Sequence, residues 1–268
     1  MTIRFEQQIT IEDADLSALT HLSSHTPLSN QQIKQAMHNG CVWLESPLGT
    51  SRLRRAKKIL NTGDVIHIYY DENIHNNRPE AAILIADEGG YSIWNKPYGM
   101  YSQGTRWGDH FTIYRYAETH LKPQRPAFPV HRLDRAANGL IIIAHSKKMA
   151  TAFLSLFKSR NIQKRYRATV ESQFTDLELP LIMSNDIDNK PALSKIVTSE
   201  NSGENSLVII EIETGRKHQI RKHLAEQGHP IVGDRLYGSA RSTENMKLQA
   251  CYLKFVCPIS NEIKEYSL

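Results

Sequence analysis

His131-Arg132-Leu133-Asp134, followed by Arg135-Ala136-Ala137-Asn138-Gly139 and the apolar run Leu140-Ile141-Ile142-Ile143-Ala144, decides the reading of this chain. The uninterrupted apolar run after a glycine predicts a buried strand. Just ahead of it an arginine and an aspartate stand two positions apart. A carboxylate at the mouth of a buried strand is either half of a structural ion pair or a reactive group, because an unpaired buried charge is costly.

Two later segments bear on that choice. In Lys164-Arg165-Tyr166-Arg167-Ala168-Thr169-Val170 the alternation puts Lys164, Tyr166, Ala168 and Val170 on one sheet face and the arginines on the other. Tyr166 therefore presents its ring to a buried or cleft surface. In Thr214-Gly215-Arg216-Lys217-His218-Gln219-Ile220-Arg221-Lys222-His223-Leu224 a helix is predicted to about Gln227, ending at Gly228. On it Arg221 shares a face with Leu224 and Ala225, so its guanidinium points coreward and calls for a carboxylate partner.

The remaining pattern is mixed. Ile83 to Ala86 and Tyr91 to Trp94 flank Asp87-Glu88-Gly89-Gly90 as a hairpin, and Ser146 caps a helix to about Arg160 with an apolar stripe of Met149, Phe153, Leu156 and Phe157. Further strands are expected over 195–198, 207–212 and 251–256. Upstream, Ser29 caps a helix over Asn30 to His38 with Gly40 beyond it, followed by strands at Cys41 to Leu44 and Val65 to Tyr70. The polar stretch Asp71 to Glu80 is the expected linker. Strands and helices without a regular β-α-β rhythm indicate an α+β fold in two domains, 1–75 and 82–268.

The composition, 268 residues with 40% hydrophobic content and a net charge of +5, fits a globular protein with an anionic partner. Basic residues gather at Ser51 to Lys58, at Lys158 to Arg167 and at Arg216 to Lys222. No run approaches the length of a membrane span, and the first residues have no signal-peptide layout. Cys41, Cys251 and Cys257 fit reduced thiols in a cytoplasmic protein. His131, His218 and His223 lack a complement of acids or cysteines at ligand spacing, so no metal is expected. There is no phosphate-binding glycine loop and no dinucleotide fingerprint, hence no cofactor.

These segments resemble the pseudouridine synthases of the RluA family, whose signatures are His-Arg-Leu-Asp before a glycine and an aliphatic strand, Lys-x-Tyr-x-Ala-x-Val, and Thr-Gly-Arg-x-His-Gln-Ile-Arg-x-His-Leu. The continuation from Ala225 to Gly238 and Lys96-Pro97-x-Gly99 match as well, so the resemblance spans about residues 83 to 268. Residues 25–70 resemble an S4 RNA-binding module, in degenerate form because the Arg-Leu-Asp that usually opens its first helix is absent.

The resemblance implies a catalytic domain with a large mixed, mostly antiparallel sheet flanked by helices, preceded by a small α+β S4-like domain. It implies isomerisation of uridine in structured RNA, ribosomal RNA first and transfer RNA second, by a monomer without cofactor. Asp134 is then the catalytic carboxylate, acting covalently or in a glycal-type elimination. Arg221 pairs with it, and Tyr166 stacks on the flipped base and serves proton transfer. Arg132 fills the space the base leaves, Ile220 lines the uracil pocket, and Lys164 and Arg216 lie along the backbone path. His131 and Lys96, from the matching segments, join the RNA-binding set.

Ala137 and Asn138 depart from the family, which carries hydroxyl side chains there. They define the competing reading, a relative that binds RNA and is catalytically weak or inactive. A glycoside hydrolase, the third reading, needs two carboxylates about the scissile bond, and Asp234 is the acid weighed as a companion to Asp134, in a setting that looks structural.

Overall fold

A computed structural model describes residues 2–76, 78, 80–174, 178–239 and 242–268. The chain forms two compact units, Met1–Arg78 with Gln103–Tyr116, and Pro79–Ser102 with Ala117–Leu268.

The first unit runs β1 (Arg4–Thr10), α1 (Ala18–His25), α2 (Asn30–Asn39), β2 (Val42–Ser46), β3 (Gly49–Arg52), β4 (Val65–Asp71) and α3 (Glu72–His75). Its sheet has the order β1-β4-β2-β3, antiparallel throughout. As the sequence predicts, α2 starts at Ser29, whose hydroxyl and Gln32 form a reciprocal capping box, and ends at Gly40 in the left-handed region, φ 78°. Leu22, Ile33 and Met37 of the helices meet Val42, Leu44, Ile66 and Ile68 of the sheet in one core.

Three expectations need correction here. First, β1 and α1 went unread, since neither carries a strong apolar period. Second, the linker at Asp71 to Glu80 begins as ordered chain: Asp71 caps α3 by accepting from the N–H groups of Asn73 and Ile74, and His75 is buried against Tyr70. Asn77 and Pro79 of that stretch lie outside the described residues. Third, the basic run Ser51 to Lys58 is only partly free. Arg54 Nη2 lies 2.5 Å and Arg52 Nε 3.2 Å from the buried Asp109 carboxylate, leaving Arg55, Lys57 and Lys58 exposed.

The second unit contains β5 (Ile83–Asp87), β6 (Tyr91–Lys96), the end of α4 (Ile113–His120), β7 (Phe128–Pro129), β8 (Asn138–Ala144), α5 (Lys147–Lys158) and β9 (Ile162–Glu171). It continues with β10 (Leu181–Met183), β11 (Ser194–Ser202), β12 (Asn205–Ile212), α6 (Gln219–Glu226), β13 (Leu248–Val256) and β14 (Ile263–Ser267). The main path of its ten-stranded sheet is β10-β11-β12-β9-β13-β8-β6-β5, with β14 on β13 and β7 on β8. All pairs are antiparallel except β8 with β13, so the sheet is mixed and mostly antiparallel.

The apolar run Leu140 to Ala144 lies on an interior strand of this sheet, between β13 and β6, and is fully buried. Leu140 and Ile142 pack with Phe153 of α5, Tyr91 and Phe255 in one core. In a separate core, Ala168, Val208 and Ile210 pack with Ile220 and Leu224 of α6 and with Ala137, just ahead of β8.

Gly139 marks where β8 meets β13. Its φ is +111°, and a Cβ there would stand 2.6 Å from the Ala250 nitrogen and still closer to its carbonyl oxygen. Only glycine lets the two backbones approach this far. Gly139→Ala should therefore cost at least ~2 kcal/mol by urea denaturation, with backbone strain and the clash acting together. An unchanged midpoint would mean that the β8–β13 contact yields freely.

Candidate active site

The turn that carries Asp134 is braced by its own sequence neighbours and by one distant serine. His131 Nε2 accepts the N–H of Ile142 at 2.9 Å, and its ring lies 4.6 Å from that of Phe157. Leu133 is held at both backbone atoms by Ser102, whose hydroxyl donates to its carbonyl at 2.7 Å and accepts its N–H at 2.9 Å. The Ala137 N–H closes on the Asp134 carbonyl at 3.1 Å. Beneath the turn, Lys96 Nζ donates to the carbonyls of Ala137, Met100 and Pro97 at 2.6, 2.9 and 3.1 Å.

These contacts give a bracing part to two residues expected to bind RNA. Lys96 is fully buried, and its three donors are all engaged by backbone carbonyls. Burial pulls its pKa down to about 7 against the opposing pull of Asp134. It supports the turn from inside. His131 is pushed to about 3, by burial and then by Lys164, so it stays neutral and acts as an acceptor for the β8 backbone. Ser102 went unread because no local pattern links it to Leu133. Ala137 is packed in the core and Asn138 opens β8, so the turn keeps its bracing without hydroxyls at those positions.

Arg221 reaches Asp134, though not as its principal partner. Its Nε and Nη2 grip Asp234 in a two-pronged pair, both at 2.7 Å, while Nη1 stands 3.4 Å from Asp134 Oδ2. The coreward carboxylate that the helix face demanded is thus Asp234, and Asp134 takes the remaining edge. Asp234 also accepts the N–H groups of Leu236 at 3.0 Å and Tyr237 at 3.2 Å. Burial alone would raise its pKa, but the Arg221 bonds outweigh that and hold it below the usual carboxylate range. Burial likewise works against the charge of Arg221, and Asp234 first, then Asp134, more than restore it. With its side chain wholly buried and gripped, Asp234 is no second catalytic carboxylate, which removes the glycosidase reading.

His218 is a neighbour of Asp134 that sequence reasoning set aside. It stands at the N-terminus of α6 at φ 56°, with Nδ1 3.0 Å from the Tyr237 hydroxyl and Nε2 3.8 Å from Asp134. Burial lowers its pKa despite Asp134, so at neutral pH the contact is polar and not an ion pair. The signature residues Gln219 and His223 lock α6 in place. The Gln219 carbonyl accepts from Thr214 Oγ1 and the Arg216 N–H, its amide donates to Leu193 and Ser194, and His223 contacts Ser194 and Asn185.

Asp134, Tyr166, Ile220 and Arg221 line one cavity of about 120 Å³, with Arg132 and Arg216 at its wall. Tyr166 packs at the edge of the core formed by Ala168 and Ile220. Burial, and then the negative charge of Asp134, raise its pKa, so its phenol keeps its proton at neutral pH. Arg132 is exposed, whereas Arg216 is anchored by Nε to the Pro191 carbonyl at 3.0 Å. Lys164 is mostly buried on the same side of β9. Of the expected set, all but Lys96 line this cavity or the larger one adjoining it, His131 at the wall of the larger. Among the described residues, no three His, Cys, Asp or Glu side chains gather as a metal site.

A sequence profile described as RNA pseudouridylate synthase matches residues 90–226. An uncharacterized RNA pseudouridine synthase of Chloroflexus aurantiacus is 32% identical over 194 residues, covering 65% of this chain; the match spans 61% of that protein's length. The tRNA pseudouridine synthase C of Vibrio parahaemolyticus is 28% identical over 68% of this chain and 87% of its own. Among solved structures, human RNA Pseudouridylate Synthase Domain Containing 1 shares the fold at a TM-score of 0.59, with 23% identity over 72% of this chain and 84% of that one. The matched stretch holds the Asp134 turn, the Tyr166 strand and the Arg221 helix together, and the chain belongs to the RNA pseudouridylate synthase family, in its RluA branch.

Proposed function

We propose that Asp134 carries the family's isomerisation of uridine to pseudouridine in RNA, acting on a base seated in the cavity it shares with Tyr166, Ile220 and Arg221. The observation that carries the reading is a single carboxylate at a cavity wall, beside a tyrosine ring and under an arginine whose other edge is fixed by a buried acid. The N1–C1′ bond breaks, the base turns, C5 bonds to C1′, and the C5 proton leaves as N1 gains one. The reaction is redox-neutral. Both a covalent route through the carboxylate and a glycal-type elimination use one aspartate, and Arg221 Nη1, 3.4 Å from its Oδ2, helps to aim it.

Stacking of the extruded base on Tyr166 would contribute about 1–3 kcal/mol, comparable with the cost of extruding it. Because the phenol holds its proton, Tyr166 offers the reaction a hydroxyl and not a standing phenolate. Tyr166→Phe should bind RNA as the unaltered protein does and lose about 10²-fold in kcat. Normal turnover would confine the residue to stacking.

Arg132, exposed at the wall, is suited to fill the gap in the RNA stack. The first unit reads as an S4-like RNA-binding module, with Arg55, Lys57 and Lys58 among its exposed cations. That module favours ribosomal RNA, while the likeness to a tRNA-modifying enzyme keeps transfer RNA as the second choice. We take the enzyme to meet its RNA in the cytoplasm as a monomer; among the described residues no helix is long and apolar enough to cross a membrane, and the three cysteines are free. Release of tritium from RNA labelled at uridine C5 tests the reaction. Mapping pseudouridine in RNA from a strain lacking the gene identifies the site.

A further inference from the structure

Beside the Asp134 cavity lies a second and larger one, of about 430 Å³, and the two share Arg132, Tyr166 and Arg216 as a common wall. Lys158, Arg160 and Lys164 line its far side, and Phe157 supplies a flat apolar surface. Glu213 is the only acid among the described lining residues, and its carboxylate already takes Lys195 at 2.8 Å. The cations have no such partner. Lys158, Arg160 and Arg132 make no ion pair among the described residues, and the contact of Lys164 is the Phe157 ring, 5.9 Å away. By contrast Lys195, Lys222, Lys254 and Lys264 of the same unit each hold a carboxylate.

Two local features add to this. Arg160 follows the end of α5 with φ 60°, a conformation costly for a side chain of this kind and easy for glycine. Lys164 is buried to within 8% of full enclosure beside it, and burial followed by the Arg160 charge lowers its pKa. Crowded, unneutralised positive charge around an open cavity is what an incoming anion relieves.

We propose that this second cavity seats the nucleotide adjoining the target uridine in the RNA strand, with Lys158, Arg160 and Lys164 taking its phosphodiester and Phe157 facing its base or sugar. A strand that delivers one base to Asp134 must carry its neighbour past the shared wall. The proposal rests on the reading of Asp134 as the catalytic group.

The test uses the full chain and the double variant Lys158→Ala with Arg160→Gly. Glycine removes the guanidinium and the left-handed strain together, so thermal stability should hold or rise. In tritium release from C5-labelled total RNA, KM should rise about tenfold with kcat retained. Anisotropy of a short fluorescein-labelled oligouridylate should show weaker binding and a log–log salt slope shallower by about 1 for each phosphate no longer neutralised. Unchanged KM and salt slope would overturn the proposal, as would a joint fall in kcat and melting temperature, which marks a structural role. If the unaltered protein released no tritium, the Asp134 reading would fail instead, and the anisotropy measurement would still decide whether the cavity holds RNA.

Discussion

Asp134→Asn should reduce tritium release by on the order of 10³-fold or more while RNA binding stays within about twofold. The substitution is nearly isosteric. The turn is held by Ser102, Lys96 and its own backbone, none of which needs the carboxylate, and Arg221 keeps its two-pronged grip on Asp234. Stability should therefore move by less than about 1 kcal/mol. What disappears is the ionised oxygen, and with it both the covalent and the elimination route. Near-normal turnover in this variant would remove Asp134 from the chemistry, whereas a failure to bind would mean that it serves to position RNA.

Arg221→Met should have the largest effect on stability, a loss of about 3–5 kcal/mol in urea denaturation, together with most of the activity. Asp234 has no exposed side-chain surface, so removing its partner strands a charge where water cannot reach it. Adding Asp234→Asn should recover part of that stability, because neither charge is then left alone and an asparagine oxygen can still accept from Leu236 and Tyr237. Activity should not return, since Asp134 still lacks its guanidinium. A double variant with both restored would show Arg221 to be plain architecture. Recovery of neither would place the loss in the packing of α6.

How much of this was legible follows from the range of the forces involved. Helices α2, α5 and the end of α6 were readable because Ser29, Ser146, Gly40 and Gly228 act within one turn of the residues they stop or start. The strand β8 was readable from its unbroken apolar run, which its interior place in the sheet explains. The face of Arg221 correctly demanded a carboxylate, but spacing along a helix cannot name a partner in a later loop, and Asp234 looked like scaffolding. Lys96 is placed among the RNA contacts by the family segment it matches, and only the fold reveals three carbonyls closing over it. The assignment of Gln103–Tyr116 to the first unit was equally hidden. It depends on Asp109 meeting Arg52 and Arg54, a pairing with no local signature.

The parallel contact between Gly139 and Ala250 also bears on how the molecule comes into being. The strand behind the Asp134 turn is flanked on one side by β6, made earlier, and on the other by β13, made only after β9 to β12 and α6. Asp234 and Arg221 likewise emerge long after the turn they steady. Non-local pairings of this kind form late, since loop closure must precede the contacts that reward it. A nascent chain on the ribosome therefore carries the Asp134 turn well before it carries the Arg221–Asp234 pair that steadies it, and the candidate site is assembled late in folding.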